Sequence, residues 1–136
     1  MKGGFRELWH HYQDVVFQPL GPCPPWPSFA IITACNPASR VRTALVNRCA
    51  MAALIRRLRK HTYTQLRVCS SDLCYYEHSL ATPVSLRSAS CLAAQFDQLA
   101  IYYMQRGRLW LVPIARRQLP HRPIALKGAV ISGNSG

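Results

Sequence analysis

The chain of 136 residues is long enough for one domain that buries most of its apolar surface without disulfide or metal staples. With 49% hydrophobic and 16% charged residues it is not a disordered chain, and no apolar run reaches the roughly 18 residues of a membrane-spanning helix. Seventeen basic residues against five acidic ones give a net charge of +12, a positive field that draws phosphates without specificity. Most of the excess is arginine, which binds phosphate bidentately and stacks on bases. A GC-rich genome also favours arginine over lysine, so the charge alone does not establish a function.

In chain order, residues Phe5 to Phe17 place Phe5, Leu8, Trp9, Tyr12, Val15 and Val16 at helical spacing, which predicts a short amphipathic helix. The proline-rich run 18–27 lacks amide donors and restrains its own backbone, so it reads as an irregular connector. Ser28 to Ala34 is a short buried strand, closed by a turn at Asn36-Pro37. Ser39 is then the candidate N-cap of a helix from Arg40 to about Lys60. On that helix Ala44, Asn47, Met51, Leu54, Ile55 and Leu58 share one face, while Arg42, Arg56, Arg59 and Lys60 share the other and Arg48 lies at the border.

Thr62 to Val68 and Tyr75 to Ala81 read as strands joined through Ser70-Ser-Asp72. Ser85 or Ser88 caps a helix with a stripe of Ala89, Leu92, Ala93 and Phe96. Two apolar strands, Ala100 to Met104 and Leu109 to Pro113, flank Gln105-Arg-Gly-Arg108 as a hairpin. The order α-β-α-β-β-α-β-β predicts a small α+β domain over 1–114. It has a mostly antiparallel sheet of about five strands, with two or three helices on one face. Residues 115–136 lose all periodicity and read as a flexible basic tail carrying Arg116 and Arg117, in which Ile124 to Ile131 could pair at a sheet edge.

The six cysteines are scattered and read as small buried thiols. Cys69, Cys74 and His78 come nearest to a ligand set but lack Cys-x-x-Cys spacing and a fourth member, so no metal and no cofactor is expected. The N-terminus shows no uninterrupted apolar segment of signal-peptide type, which predicts a cytoplasmic protein with no membrane partner.

A few polar residues stand where structure alone does not demand them. Asn36 follows the first buried strand. Asn47 lies on the apolar face of its helix and needs a fixed partner, with the Asn36 loop the nearest source. Glu77, one of few acids, sits mid-strand; it either pairs with an arginine or, in a cleft, holds a ligand donor or acts as a base. Alternation puts Ser79 on the face of Glu77 and His78 on the other. Gln98 falls opposite its helix's apolar stripe, a solvated position.

The order of these residues resembles the bacterial family catalogued as domain of unknown function 3293. The likeness rests on Thr33, Asn36, Pro37 and Ser39 after an apolar strand, Asn47 in the next helix, and Glu77 with Ser79 in a later strand. It ends on Ala93, Phe96, Gln98, Ala100, Ile101 and Tyr102, and covers roughly Leu8 to Pro113. The short cysteine-bearing stretch between Val68 and Glu77 departs from it. The resemblance implies a shared fold and shared polar positions, with no reaction attached.

Three functions follow in order. The first is a binding module with a site at Asn36, Ser39, Asn47, Glu77, Ser79 and Gln98. The second is a nucleic-acid-binding accessory protein using Arg42, Arg48, Arg56, Arg59, Lys60, Arg116 and Arg117, whose charge could equally serve an acidic protein partner. The third is a small enzyme with Glu77 as its base. The chain carries no paired nucleophile and base, no phosphate-cradling glycine loop and no metal cluster.

Overall fold

All four residues of the strand Phe29–Ile32 are apolar and buried, and such a strand needs cover on two faces. The computed structural model, which describes residues 4–114 and 122–126, supplies it. The elements are α1 (Gly4–Gln13), β1 (Val15–Pro19), β2 (Phe29–Ile32), a 3-10 turn (Pro37–Ser39), α2 (Ala44–Arg57), β3 (Thr64–Ser70), β4 (Tyr76–Thr82), α3 (Leu86–Gln95), β5 (Ala100–Gln105), β6 (Arg108–Pro113) and β7 (Ile124–Ala125). All seven strands form one antiparallel sheet in the order β1-β3-β4-β2-β5-β6-β7.

The α+β class stands, and two details of the expected layout change. Among the described residues the sheet has seven strands rather than about five. The helices also divide between its faces. Ala30, Ile32, Leu80, Ile101 and Tyr103 pack with Met51, Leu54 and Leu58 of α2 and Ala89 and Ala93 of α3. Phe29, Ile31, Leu66, Ala81, Tyr102 and Leu111 pack instead with Trp9 and Tyr12 of α1. Every second residue of β2 belongs to one cluster and its neighbours to the other, which is the strand period of two at work.

β1 is the unforeseen strand. Val15 to Pro19 continues the helical-looking pattern of α1, but α1 ends at Gln13 and the chain pairs with β3, Phe17 opposite Val68. An edge strand can end in proline because its outer side needs no ladder donor. β7 lies in the segment that could pair at a sheet edge: Trp110 and Leu111 pair with Ala125 and Ile124. Arg116 and Arg117 lie outside the described residues, as does most of the segment read as a tail.

Local chemistry sets the helix ends. Thr43, not Ser39, caps α2, its hydroxyl accepting from the Val46 amide at 3.2 Å, because Asn36, Ala38 and Ser39 all hold positive φ and cannot start a helix. Ser85 caps α3 in the same way, accepting from the Ser88 amide at 3.1 Å. α3 closes with Asp97 at φ 58, the Asp97 amide donating to the Ala94 carbonyl and the Gln98 amide to the Ala93 carbonyl. That paired pattern ends the helix and turns the chain back toward the sheet.

The β5–β6 hairpin has Gln105 opposite Arg108 and positive φ at both Arg106 (51°) and Gly107 (75°). Both central residues of a type I′ turn need that geometry, and nothing stands within 4 Å of a Cβ at Gly107. Gly107→Ala therefore carries only the backbone cost, about 1 kcal/mol in urea unfolding, with the native spectrum kept.

Candidate functional site

β2 stops at Ile32, while its neighbours β4 and β5 run on, β4 down to Tyr76 and β5 down to Ala100. The segment after β2 fills the opening. Thr33 donates its hydroxyl proton to the His78 carbonyl at 2.7 Å and accepts from the Cys35 amide at 3.0 Å, tying the segment to β4. From the other side the Gln98 side-chain amide donates to the Cys35 carbonyl at 3.1 Å. Gln98 is buried, not solvated as its place in the helical pattern suggested, because α3 ends before it.

The buried Ala34 amide meets a less common acceptor, the Met51 sulfur at 3.3 Å. Met51→Leu preserves volume but leaves that donor without a partner. It is expected to cost about 1–2 kcal/mol in chemical unfolding, more than a shape-matched core swap.

At the end of this segment lies a chain of amides whose orientation the backbone dictates. The Asn36 amide N–H donates to Asn47 Oδ1 at 2.9 Å, so Asn47 Nδ2 faces the other way, donating to Asn36 Oδ1 at 2.9 Å. Asn36 Oδ1 also accepts from the Arg42 amide at 3.0 Å. Asn36 Nδ2 is thus turned toward β4, where it donates to Glu77 Oε2 at 2.7 Å. Two backbone donors at one end require an acceptor at the other. Asn36 itself stands in the left-handed region, which asparagine tolerates better than most residues.

Leu80 and Ala81 join opposite core clusters, so alternation puts Glu77 and Ser79 on the face that carries α1. Tyr12 of α1 reaches the same place and shares a short hydrogen bond with the Ser39 hydroxyl, while the Tyr102 hydroxyl donates to the Tyr12 carbonyl. Ser79 is buried and its hydroxyl donates to the Glu77 carbonyl at 3.3 Å. Tyr12 is legible in the helical stripe, and Tyr102 in a strand and in the pattern that carries the resemblance; nothing in the local pattern marks their hydroxyls.

Burial raises the Glu77 pKa, and the hydrogen bond from Asn36 opposes that rise. Burial likewise raises the Tyr12 and Tyr102 phenols and the Cys35 thiol, with the nearby Glu77 charge adding to each. Cys35 is therefore a protonated thiol at neutral pH and a poor nucleophile. Among the described residues no cation pairs with Glu77, and the one hydrogen-bonding partner of its carboxylate is Asn36. The arginine pairing weighed for Glu77 does not occur there.

These side chains open on a groove of about 1150 Å³. All six residues singled out for a ligand site, Asn36, Ser39, Asn47, Glu77, Ser79 and Gln98, line it. Arg42, Arg48 and Arg67 line it too. Arg56, Arg59 and Lys60 do not; they are exposed at the far end of α2, so the expected basic stripe divides into two separate groups. Cys69, Cys74 and His78 form no shared site: the Cys69 thiol contacts Gln18, and the His78 ring is bonded to Gln65 at 2.7 Å. Among the described residues no three His, Cys, Asp or Glu side chains group as metal ligands, and all six cysteines are free thiols. No helix there is long and apolar enough to cross a membrane.

The model of a family described as protein of unknown function (DUF3293) matches residues 32–101, just over half of the chain. No curated protein and no solved structure matches. The matched region begins at the last residue of β2 and encloses all six polar residues named above.

Proposed function

The chain belongs to the DUF3293 family of proteins of unknown function, and from that premise we propose that it is a binding domain for a small polar ligand. The observation that carries this reading is the Glu77 carboxylate. It is partly buried, held by a single neutral donor and open to a groove, with no cation to neutralise it among the described residues. A carboxylate kept in such surroundings costs stability, a cost that a ligand donor at the same point would offset. The ligand thus presents an amine, amide or hydroxyl N–H or O–H to Glu77. Asn36 and Asn47 hold the carboxylate in place.

A thermal-shift screen of the full chain against amines, amides, amino acids, polyols and nucleosides tests this. Hits that raise the melting temperature of the native chain and fail with Glu77→Gln support a site at Glu77. Hits indifferent to Glu77, or none at all, would sink the proposal. The enzymatic reading would use the same residue as a general base, and turnover of a Glu77-dependent hit is what would favour it.

A further inference from the structure

Residues from both faces of β4 line the groove, and the face away from Glu77 carries a different chemistry. Pairing sets Val16 of β1, Cys69 of β3 and Tyr76 of β4 in one row, and Gln18, Arg67 and His78 in the next row on the same face. Leu80, two residues past His78, packs under α2, so both rows lie on the α2 side of the sheet while Glu77 faces α1. The helix does not reach across them. Val16 and Tyr76 stay 41% and 59% exposed, unusual for side chains of this kind beside a core.

Tyr76 is nevertheless fixed. The Arg67 guanidinium lies 4.5 Å from the centre of its ring, a diagonal contact between the two rows. One side of the ring is thereby covered and the other is left to solvent.

α2 brings a second guanidinium to this face. Arg57 turns toward α3, where it donates to the Gln95 side-chain oxygen at 2.6 Å. α3 lies over β2 and β5, so the flank of α2 away from α3 overlooks β4 and β3. Arg48 sits about two and a half helical turns before Arg57 and therefore on that opposite flank. Arg48 and Arg67 both line the groove, and neither pairs with an acid among the described residues. Asp72 at the hairpin tip is engaged by the Ser70 hydroxyl at 2.6 Å and the Cys74 amide at 2.9 Å. Burial and the Arg67 charge hold the His78 ring below its ordinary pKa, so near neutral pH the positive charge here is that of the two arginines.

We infer that this face binds a single-stranded nucleic acid, at a site separate from the one proposed at Glu77. A base stacks on the open side of Tyr76, and phosphates of neighbouring nucleotides lie against Arg48 and Arg67, whose planar forks match their oxygens. A duplex fits less well, because only an unpaired base offers its flat face to a ring. An acidic peptide would use the arginines and leave the ring uncovered. The net charge of +12 draws any polyanion, and Tyr76 selects the strand among them.

Fluorescence anisotropy of the full chain with labelled short oligouridine and oligothymidine tests this, with a duplex of equal charge and polyglutamate as competitors. A strand should bind at least about fivefold more tightly than either competitor, the worth of one stacked base. Tyr76→Ala should weaken the strand by about fivefold or more and leave its salt dependence unchanged. Arg48→Ala should weaken it and lower the slope of log affinity against log salt by about 0.7, one phosphate contact of a single strand. Arg57→Ala removes the same charge from the other flank of α2 and should change affinity less than about twofold. Tyr76, Arg48 and Arg57 are exposed, so all three variants should keep the native circular dichroism.

A preference for oligouridine identifies RNA as the strand, through its 2′-hydroxyl, and equal affinity identifies a strand of either sugar. Both support the inference. No binding at low salt, a competitor as tight as the strand, indifference to Tyr76→Ala, or equal losses in Arg48→Ala and Arg57→Ala each overturns it. The Glu77 site stands or falls by its own screen, since the two sites use opposite faces of β4.

Discussion

Glu77→Gln is expected to leave the fold intact and to weaken ligand binding by about 10- to 100-fold, the worth of a hydrogen bond to a charged group. The first half follows from the amide chain. Asn36 Nδ2 needs only an acceptor at position 77, and a glutamine carbonyl is one. What changes is the group left facing the groove, from an acceptor to an N–H donor. A ligand that donates to Glu77 then meets another donor. Isothermal titration of any confirmed ligand against both proteins reads the difference. Equal affinity would mean that the ligand does not touch Glu77.

The same substitution has a pH signature. Burial lifts the folded-state pKa of Glu77 above its ordinary value of 4.5, while the unfolded chain keeps the ordinary one. Above the raised value both states are ionised, and the folded state carries the full cost of a poorly solvated charge. As pH falls from the raised value toward 4.5, the folded state takes up its proton first and that cost disappears. The stability of Glu77→Gln relative to the native chain should thus be greatest near neutral pH and shrink as the medium is acidified. Urea unfolding of both proteins across that range cancels the contributions of all other titrating groups. A constant difference would show that Asn36 offsets burial, and one that grows with acid that it outweighs burial.

Asn47→Ala should be the most damaging of the polar substitutions, lowering stability by about 2–3 kcal/mol and abolishing Glu77-dependent binding. Asn47 Oδ1 is the acceptor for the Asn36 amide, and Asn47 Nδ2 the donor to its side chain. Removing both frees a loop in which Asn36, Ala38 and Ser39 all hold positive φ, a conformation that non-glycine residues keep only under restraint. Once that loop relaxes, Asn36 no longer restrains Glu77. Asn47→Asp distinguishes restraint from simple bulk. It restores the acceptor but faces Asn36 Oδ1 with a second negative oxygen, so it should be as destabilised as Asn47→Ala. Full stability in either variant would show that the loop is held by other contacts, such as the 2.7 Å bond from the Ala38 amide to the Asp97 carbonyl.

The resemblance and the residue pattern together pointed to six polar residues that line one groove, and part of the reason is local. Asn36 and Asn47 are eleven positions apart across one loop and the first turn of α2, so an asparagine on an apolar helix face had an obvious partner beside it. Gln98 was misjudged because helical spacing was extended through Asp97. A left-handed aspartate there ends α3, and such a residue is harder to read than glycine at the same place. β1 was absorbed into α1 because Val15 and Val16 fit both a period of 3.6 and an edge strand, and only pairing with β3 separates the two.

The sequence by itself determined the alternation of short strands with two capped helices, the hairpin at Arg106-Gly107, and the short buried strand leading into Asn36. These depend on neighbours within a turn or two, where period, caps and turn residues act directly. Only the tertiary structure decided that Glu77 meets Asn36 forty-one positions away rather than an arginine, and that Tyr12 closes over Ser39. It also decided that Arg42 and Arg48 part company with Arg56 and Arg59. Those outcomes follow from sheet order and from β2 ending before its neighbours. Long-range pairing is selected by the packing of the whole sheet and leaves no periodic trace in the chain.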